Sequence, residues 1–303
     1  MARLRVAAAQ YPLEALPSLG AYRDKLARWV AEAVGNGARL LVFPEYGAME
    51  YAAAAGAAVA GDLAASLAAV SDALPEMDAA HADLARRHGV YILAASGPSA
   101  RGTAPARPRY VNAARLMAPS GKIGLQEKLI MTPFERDWGI SGGAGLQVFE
   151  TALGRIAIAV CYDSEFPLLV RAQAEAGAGI VLIPSCTEFV SGYHRVRTAG
   201  LARALENTCA TIVSPTVGEA TWSPAVDYNS GAAGVYVPSD RSLSDTGVLA
   251  EGPLNRPQWV YADVDLARLR AVQASGEMRN AADWALQPGA APLVRHAEVI
   301  DLT

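Results

Sequence analysis

Two reactive side chains stand where an apolar run stops, and a third where an extended stretch ends. Cys161 closes GRIAIAVC and is followed by YDSEFP; Glu45 follows an apolar run and a proline in RLLVFPEYG; Lys128 ends the extended stretch SGKIGLQEK. In open α/β folds reactive residues gather just beyond the carboxyl ends of strands, so all three are candidates for chemistry. A thiol is a natural nucleophile, and a turn and helix behind it would depress its pKa and offer free N–H groups to an oxyanion. On this reading Ser164 or Asp163 caps the helix after Cys161, with Pro167 in its first turn. A partly desolvated Glu45 would have a raised pKa and could accept a proton near neutrality. Lys128 can stabilise a tetrahedral intermediate by charge. Glu135, further along beside Trp138 and several glycines, can hold that lysine in position. Each residue alone has a plainer reading: structural cysteine, exposed loop glutamate, solvated lysine. Together they compose one mechanism of base, cation and thiol.

Other reactive side chains fit less well. Cys186 also follows an apolar run, in IVLIPSCTE, but no helix start as clear as that after Cys161 comes next. Cys209, in ENTCATIV, reads as core. The histidines, His81, His88, His194 and His296, form no metal-ligand pattern with cysteine or acidic neighbours, so no metal site is expected. His194, in SGYHRVR, is either a structural residue at a loop or helix edge or the base of a Cys–His thiol hydrolase. Arg203 and Glu206 lie three apart in ARALEN and can pair on a helix, with Asn207 bonding backbone. The glycines of GISGGAG follow no strand and are turn residues, not a dinucleotide fingerprint.

Positioning such residues requires strands that alternate with helices. Leu4–Ala9, Leu40–Phe43, Val90–Ala94, Tyr110–Met117, Ile156–Val160, Ile180–Ile183, Thr211–Ser214 and Val235–Val237 read as strands. Tyr22–Val34, Met77–His88, Pro167–Ala176 and Thr198–Thr208 read as helices, with Gly35, Gly89 and Gly177 ending the first three. The alternation predicts an α/β layer fold. No repeat, linker or charge run divides the chain, so residues 1–303 are expected to form a single domain. The irregular stretches Ser99–Pro108 and Ala220–Asn229 could each border a pocket.

Composition narrows the partners. A net charge of −4 without a dense Lys/Arg cluster argues against nucleic acid and anionic membranes. The alanine-rich segment Ala52–Val70 is too weakly apolar, and too interrupted by Gly56, Gly61 and Asp62, to hold in a bilayer. Three widely spaced cysteines without a CxxC pair suit a reducing compartment, and the first residues carry no secretory pattern, so a cytoplasmic location is expected.

FPE, the EK with its downstream FERD, and CYDSEFP resemble the three signature blocks of the nitrilase superfamily of carbon–nitrogen hydrolases. ARALEN and the opening strand ending in Gln10 are similar to further family features, in order from about residue 4 to about residue 270. The resemblance implies an α–β–β–α sandwich, a homodimer that extends it, and no metal or organic cofactor. It makes Cys161 the nucleophile, Glu45 the general base, Lys128 the electrostatic stabiliser and Glu135 the orienting glutamate. It adds the Tyr162 N–H as an oxyanion donor, and Cys186 and Thr187 as residues of the substrate pocket. The implied reaction is hydrolysis of small amides to ammonia and a carboxylic acid through a thioester. Nitriles or N-carbamoyl amines are the alternatives on the same scaffold, and a catalytically silent dimeric binding protein is the non-enzymatic one. VDYNSGAAGVYVPSD is only a loose equivalent of the family's next segment, and the stretch around Ser99–Arg109 has no family counterpart.

Overall fold

In the strand Leu4–Pro12, Leu4, Val6 and Ala8 pack into one apolar cluster while Ala7, Ala9 and Tyr11 pack into another. A strand alternates its side chains between faces, so apolar residues at every position mean a sheet covered on both sides. The computed structural model, which describes residues 3–101, 109–287 and 296–303, has that form.

Leu4–Pro12 pairs in parallel with Leu40–Val42, which pairs in parallel with Tyr91–Leu93. Beyond these, Arg109–Met117 runs antiparallel and carries Gly97–Arg101 and Ile123–Glu127. A second half is built on Gly154–Ile158, Ile180–Ser185 and Ala210–Glu219, all parallel, with Leu146–Thr151 and Gly234–Tyr236 antiparallel at its flanks. The halves are hydrogen-bonded where Tyr11 and Pro12 meet Thr216 and Val217. Ser214 reinforces the seam, its hydroxyl lying 2.9 Å from the carbonyls of both Ala9 and Val42.

One apolar cluster joins inward residues of the first half, such as Val6, Val42 and Leu116, to Ile158, Leu182 and Ile212 of the second. The other lies between the first half and the helices Leu19–Gly35 and Leu63–His88. Helices Pro167–Glu175 and Val190–Asn207 cover the second half. The order of layers is α–β–β–α, as expected. Each fully buried Val, Leu or Ile contributes roughly 1.5–3 kcal/mol relative to exposure, which is what holds two sheets face to face.

The helix expected from Tyr22 starts at Leu19, and two others begin much earlier than their sequence signals. The helix expected over Met77–His88 starts at Leu63, capped by Asp62, and runs through Pro75. A proline inside a helix costs about 3 kcal/mol. Here the buried stripe Leu67, Val70, Leu74, Met77, His81 and Leu84 continues across it and outweighs that loss. The helix expected from Thr198 starts at Val190, with Gly192 and Gly200 inside it. A Cβ on Gly192 would lie 2.9 Å from that of Thr187, and one on Gly200 would lie 3.1 Å from Val213. These glycines let the helix lie close against Thr187 and the sheet.

Candidate active site

Glu45 follows the strand Leu40–Val42, and Lys128 follows Ile123–Glu127. Glu135 lies in the short helix Pro133–Asp137, and Cys161 opens a 3-10 turn, Cys161–Glu165, after Gly154–Ile158. All four line one cavity of about 580 Å³ and are themselves almost wholly buried. The Lys128 Nζ donates to Glu45 Oε1 at 2.7 Å and to Glu135 Oε2 at 2.6 Å. The Cys161 thiol donates to the Cys186 carbonyl oxygen at 3.9 Å, and Glu45 is near enough for its charge to act on the thiol.

Local structure explains how each group is held. Thr132 and Glu135 form a reciprocal capping box. The Glu135 oxygen that accepts from Lys128 therefore also accepts the Thr132 N–H at 2.9 Å, while Tyr46 donates its hydroxyl to the other at 2.9 Å. The second Glu45 oxygen accepts the Cys186 N–H at 2.9 Å. Cys161 and Tyr46 both have left-handed backbone, with φ of 47° and 52°. Non-glycine residues adopt such conformations where the surrounding structure enforces them. Sharp turns there lift the thiol, and bend the chain after Glu45, at the strand ends.

The turn after Cys161 differs from its sequence reading. Neither Ser164 nor Asp163 caps the helix Pro167–Glu175, which begins after Phe166 with no side-chain cap. Ser164 donates to the Cys161 carbonyl at 2.6 Å, and the Asp163 carboxylate accepts the N–H groups of Leu129 and Ile130 at 2.9 and 2.8 Å. Asp163 therefore clamps the segment after Lys128 to the segment after Cys161. Five residues of 3-10 turn intervene before the helix, so its cap lies out of these side chains' reach.

The charges also differ in one respect. Burial pushes the Cys161 thiol well above the ordinary cysteine range; the neighbouring Glu45 adds to the rise and Lys128 only partly opposes it. The expected depression is overturned, because desolvation beside a carboxylate outweighs the turn's N–H groups. Burial raises Glu45, against the attraction of Lys128. Burial would also raise Glu135, but Lys128, Thr132 and Tyr46 carry it below the ordinary value. Burial would lower Lys128, yet the two glutamates hold it well above its usual value, so it stays protonated. The resting site thus sets a neutral thiol beside the Glu45 carboxyl group and a fixed cation.

Cys186, Thr187 and Tyr162 all line the cavity. Cys186 reaches the site chiefly through its backbone, and Thr187 donates its hydroxyl to the Ser230 carbonyl at 2.7 Å. The stretch 220–229 borders the cavity through Pro224, Ala225, Val226, Asp227 and Tyr228. Of Ser99–Pro108, residues 102–108 lie outside the described residues. His194 is exposed on the helix Val190–Asn207, stacks near Tyr193 and is outside the lining, so nothing brings it to Cys161. Arg203 pairs with Glu206 at 3.0 Å, Asn207 donates to the Arg203 carbonyl at 3.2 Å, and Cys209 is core, as expected.

Sequence reasoning missed Asn112, Ser96 and Tyr46. Asn112 lies on Arg109–Met117 and donates to Glu45 Oε1 at 2.9 Å and Glu135 Oε1 at 3.2 Å. A signal existed: an asparagine inside the apolar run YVNAA, on a strand covered on both faces.

The model of the carbon–nitrogen hydrolase family matches residues 5–274. A probable hydrolase of Bacillus subtilis is 42% identical over 176 residues, 58% of this chain but 34% of that protein, so this chain spans only part of its length. An omega-amidase of Danio rerio is 24% identical over 267 residues, covering 80% of this chain and 82% of the relative. A solved mutant of an amidase from Nesterenkonia shows the acetamide moiety of fluoroacetamide added covalently at its active-site cysteine. It superposes on 93% of this chain and 94% of its own with a TM-score of 0.65, at 22% identity.

Proposed function

Because the chain belongs to the carbon–nitrogen hydrolase family, we propose that it hydrolyses small amides through a thioester on Cys161, releasing ammonia and a carboxylic acid. The observation that carries this reading is the meeting of Glu45, Lys128, Glu135 and Cys161 in one cavity, from four separate elements.

Glu45 takes the Cys161 proton as the sulfur attacks the amide carbon, so the thiolate need not exist beforehand. The carbonyl oxygen becomes an oxyanion, stabilised by Lys128 and by the Tyr162 N–H, one of the first N–H groups of a turn, which have no acceptor inside it. The C–N bond breaks, the nitrogen leaves with the proton from Glu45, and the acyl group remains on sulfur. Glu45 then takes a proton from water, whose oxygen attacks the thioester; the acid leaves and the thiol is restored. Glu135 keeps Lys128 in place. The covalent adduct at the active-site cysteine of the Nesterenkonia amidase supports the same role for Cys161.

Nitriles and N-carbamoyl amines remain the alternatives on this scaffold. Ammonia release from a panel of all three classes tests the reading, with Cys161→Ala as the control. Simple amides should be turned over, the variant should be inactive, and an acyl adduct should be trapped on the wild-type cysteine. Undiminished activity of Cys161→Ala would overturn the covalent route; turnover confined to another class would move the substrate there.

We read residues 1–303 as one domain acting as a homodimer in the cytoplasm. The family match over 5–274 supports the first. The three free cysteines fit a reducing compartment. Among the described residues no helix is long and apolar enough to cross a membrane.

A further inference from the structure

Two carboxylates share one lysine in this site, and a third partner touches both. Asn112 is fully buried on Arg109–Met117, and its Nδ2 lies 2.9 Å from Glu45 Oε1 and 3.2 Å from Glu135 Oε1. Its Oδ1 accepts the Ser96 hydroxyl at 2.7 Å, and the Ser96 oxygen accepts the Tyr46 N–H at 3.1 Å. Ser96 is buried as well.

This chain of hydrogen bonds has a direction. A backbone N–H can only donate, so the Ser96 oxygen meets Tyr46 as an acceptor and its single proton is free for Asn112. The amide oxygen of Asn112 is then taken, and its NH2 faces the carboxylates. That group has two protons, one for each glutamate. The opposite amide orientation would turn an oxygen lone pair toward two anionic groups and leave Ser96 facing an N–H. Tyr46 starts the chain one residue after Glu45 and closes it by donating its hydroxyl to Glu135.

We propose that Asn112 is a positioning residue that holds Glu45 and Glu135 as twin acceptors about Lys128, with Ser96 setting the orientation of its amide. Lys128 alone compensates one of the two negative charges. The two amide hydrogen bonds favour the unprotonated form of both acids and fix the Glu45 oxygen that Lys128 also holds. The second Glu45 oxygen, on the Cys186 N–H, keeps the carboxylate from rotating. The proposal rests on Glu45 being the base of the reaction.

Asn112→Leu and Ser96→Ala, each compared with wild type and with Glu45→Gln, test it. The readouts are the pH dependence of kcat/KM on an amide and of the alkylation of Cys161 by iodoacetamide, located by peptide mass. Losing a hydrogen bond to a charged group should move the acid limb upward by about one pH unit in Asn112→Leu. kcat should fall at least tenfold with KM little changed, and Ser96→Ala should move the limb the same way by less. Circular dichroism melts establish that each variant is folded; if Asn112→Leu is not, Ser96→Ala decides. Folded variants whose acid limb coincides with that of wild type would overturn the role of Asn112. An acid limb that survives in Glu45→Gln would instead overturn Glu45 as the base.

Discussion

Lys128 is buried with two carboxylates, so its removal would leave both without a counter-charge. Lys128→Met is expected to lower kcat by about a hundredfold to a thousandfold, as loss of an oxyanion donor does. The pH dependence follows from Glu45. Burial raises it above the ordinary 4.5, and as the proposed base it could take the Cys161 proton only while ionised. As the pH falls through that raised value the base is lost, so the acid limb of kcat/KM should lie above pH 4.5 and vanish in Glu45→Gln. A wild-type profile flat down to pH 4.5 would contradict it. At this scale Glu45, Lys128 and Cys161 were legible as candidates because each is a reactive type at the end of an apolar or extended stretch. Asn112 carried a signal as a polar residue inside an apolar run, but its partners, like those of Ser96 and Tyr46, exist only in contacts between distant segments. The Cys161 pKa was misread for the same reason: its turn is local, whereas the desolvation and the Glu45 charge come from the fold.

The helix Leu63–His88 shows what an element can and cannot disclose. Its end was readable in Gly89, which adopts a left-handed φ of 66°, but its start was hidden by Pro75. What carries the helix through the proline is its buried stripe, and His81 is the polar member of that stripe. Its Nδ1 lies 2.9 Å from the Met77 carbonyl, its Nε2 has no partner among the described residues, and Phe43 packs against the ring. Burial lowers its pKa from 6.5 to about 4, only partly opposed by the Met77 carbonyl. Between those values the unfolded chain binds a proton that the folded chain refuses. The contribution of His81 to stability should therefore fall as the pH drops from 6.5 towards 4, by about 3 kcal/mol in all. Asp78, raised to about 6 by burial despite Arg115, and Asp163, raised by burial to about 7, work in the opposite sense, so the readout is a difference. Denaturant unfolding should show the stability of His81→Leu rising relative to that of wild type as the pH drops over that range. Parallel curves for the two proteins would mean that His81 is protonated within the fold.

At the scale of the whole molecule, layers from both halves of the chain converge on the cavity, and its net charge belongs to no single segment. The α/β layering was legible in the alternation of strands and helices, and the sandwich in the resemblance; the lining was legible only in part, because it gathers residues from Glu45 to Tyr228. Glu45, Glu135, Glu165, Glu188 and Asp227 line the cavity against Lys128 and Arg195. Lys128 is engaged by the first two carboxylates, and Arg195 lies 3.3 Å from Glu165. Glu188 and Asp227, half-buried, form no ion pair among the described residues. A substrate whose acyl arm ends in a carboxylate would enter a field of its own sign, whereas a neutral or amine-bearing arm would not. The similarity to an omega-amidase, at 24% identity, therefore does not fix the acyl group. Among amides of equal length, the monoamide of a dicarboxylic acid should have a kcat/KM about tenfold below that of the neutral amide at low ionic strength. The gap should narrow with added salt, and again in Glu188→Gln/Asp227→Asn. A dicarboxylic monoamide turned over faster than its neutral counterpart would require Arg195 to leave Glu165 and bind substrate, and Arg195→Ala would then remove that preference.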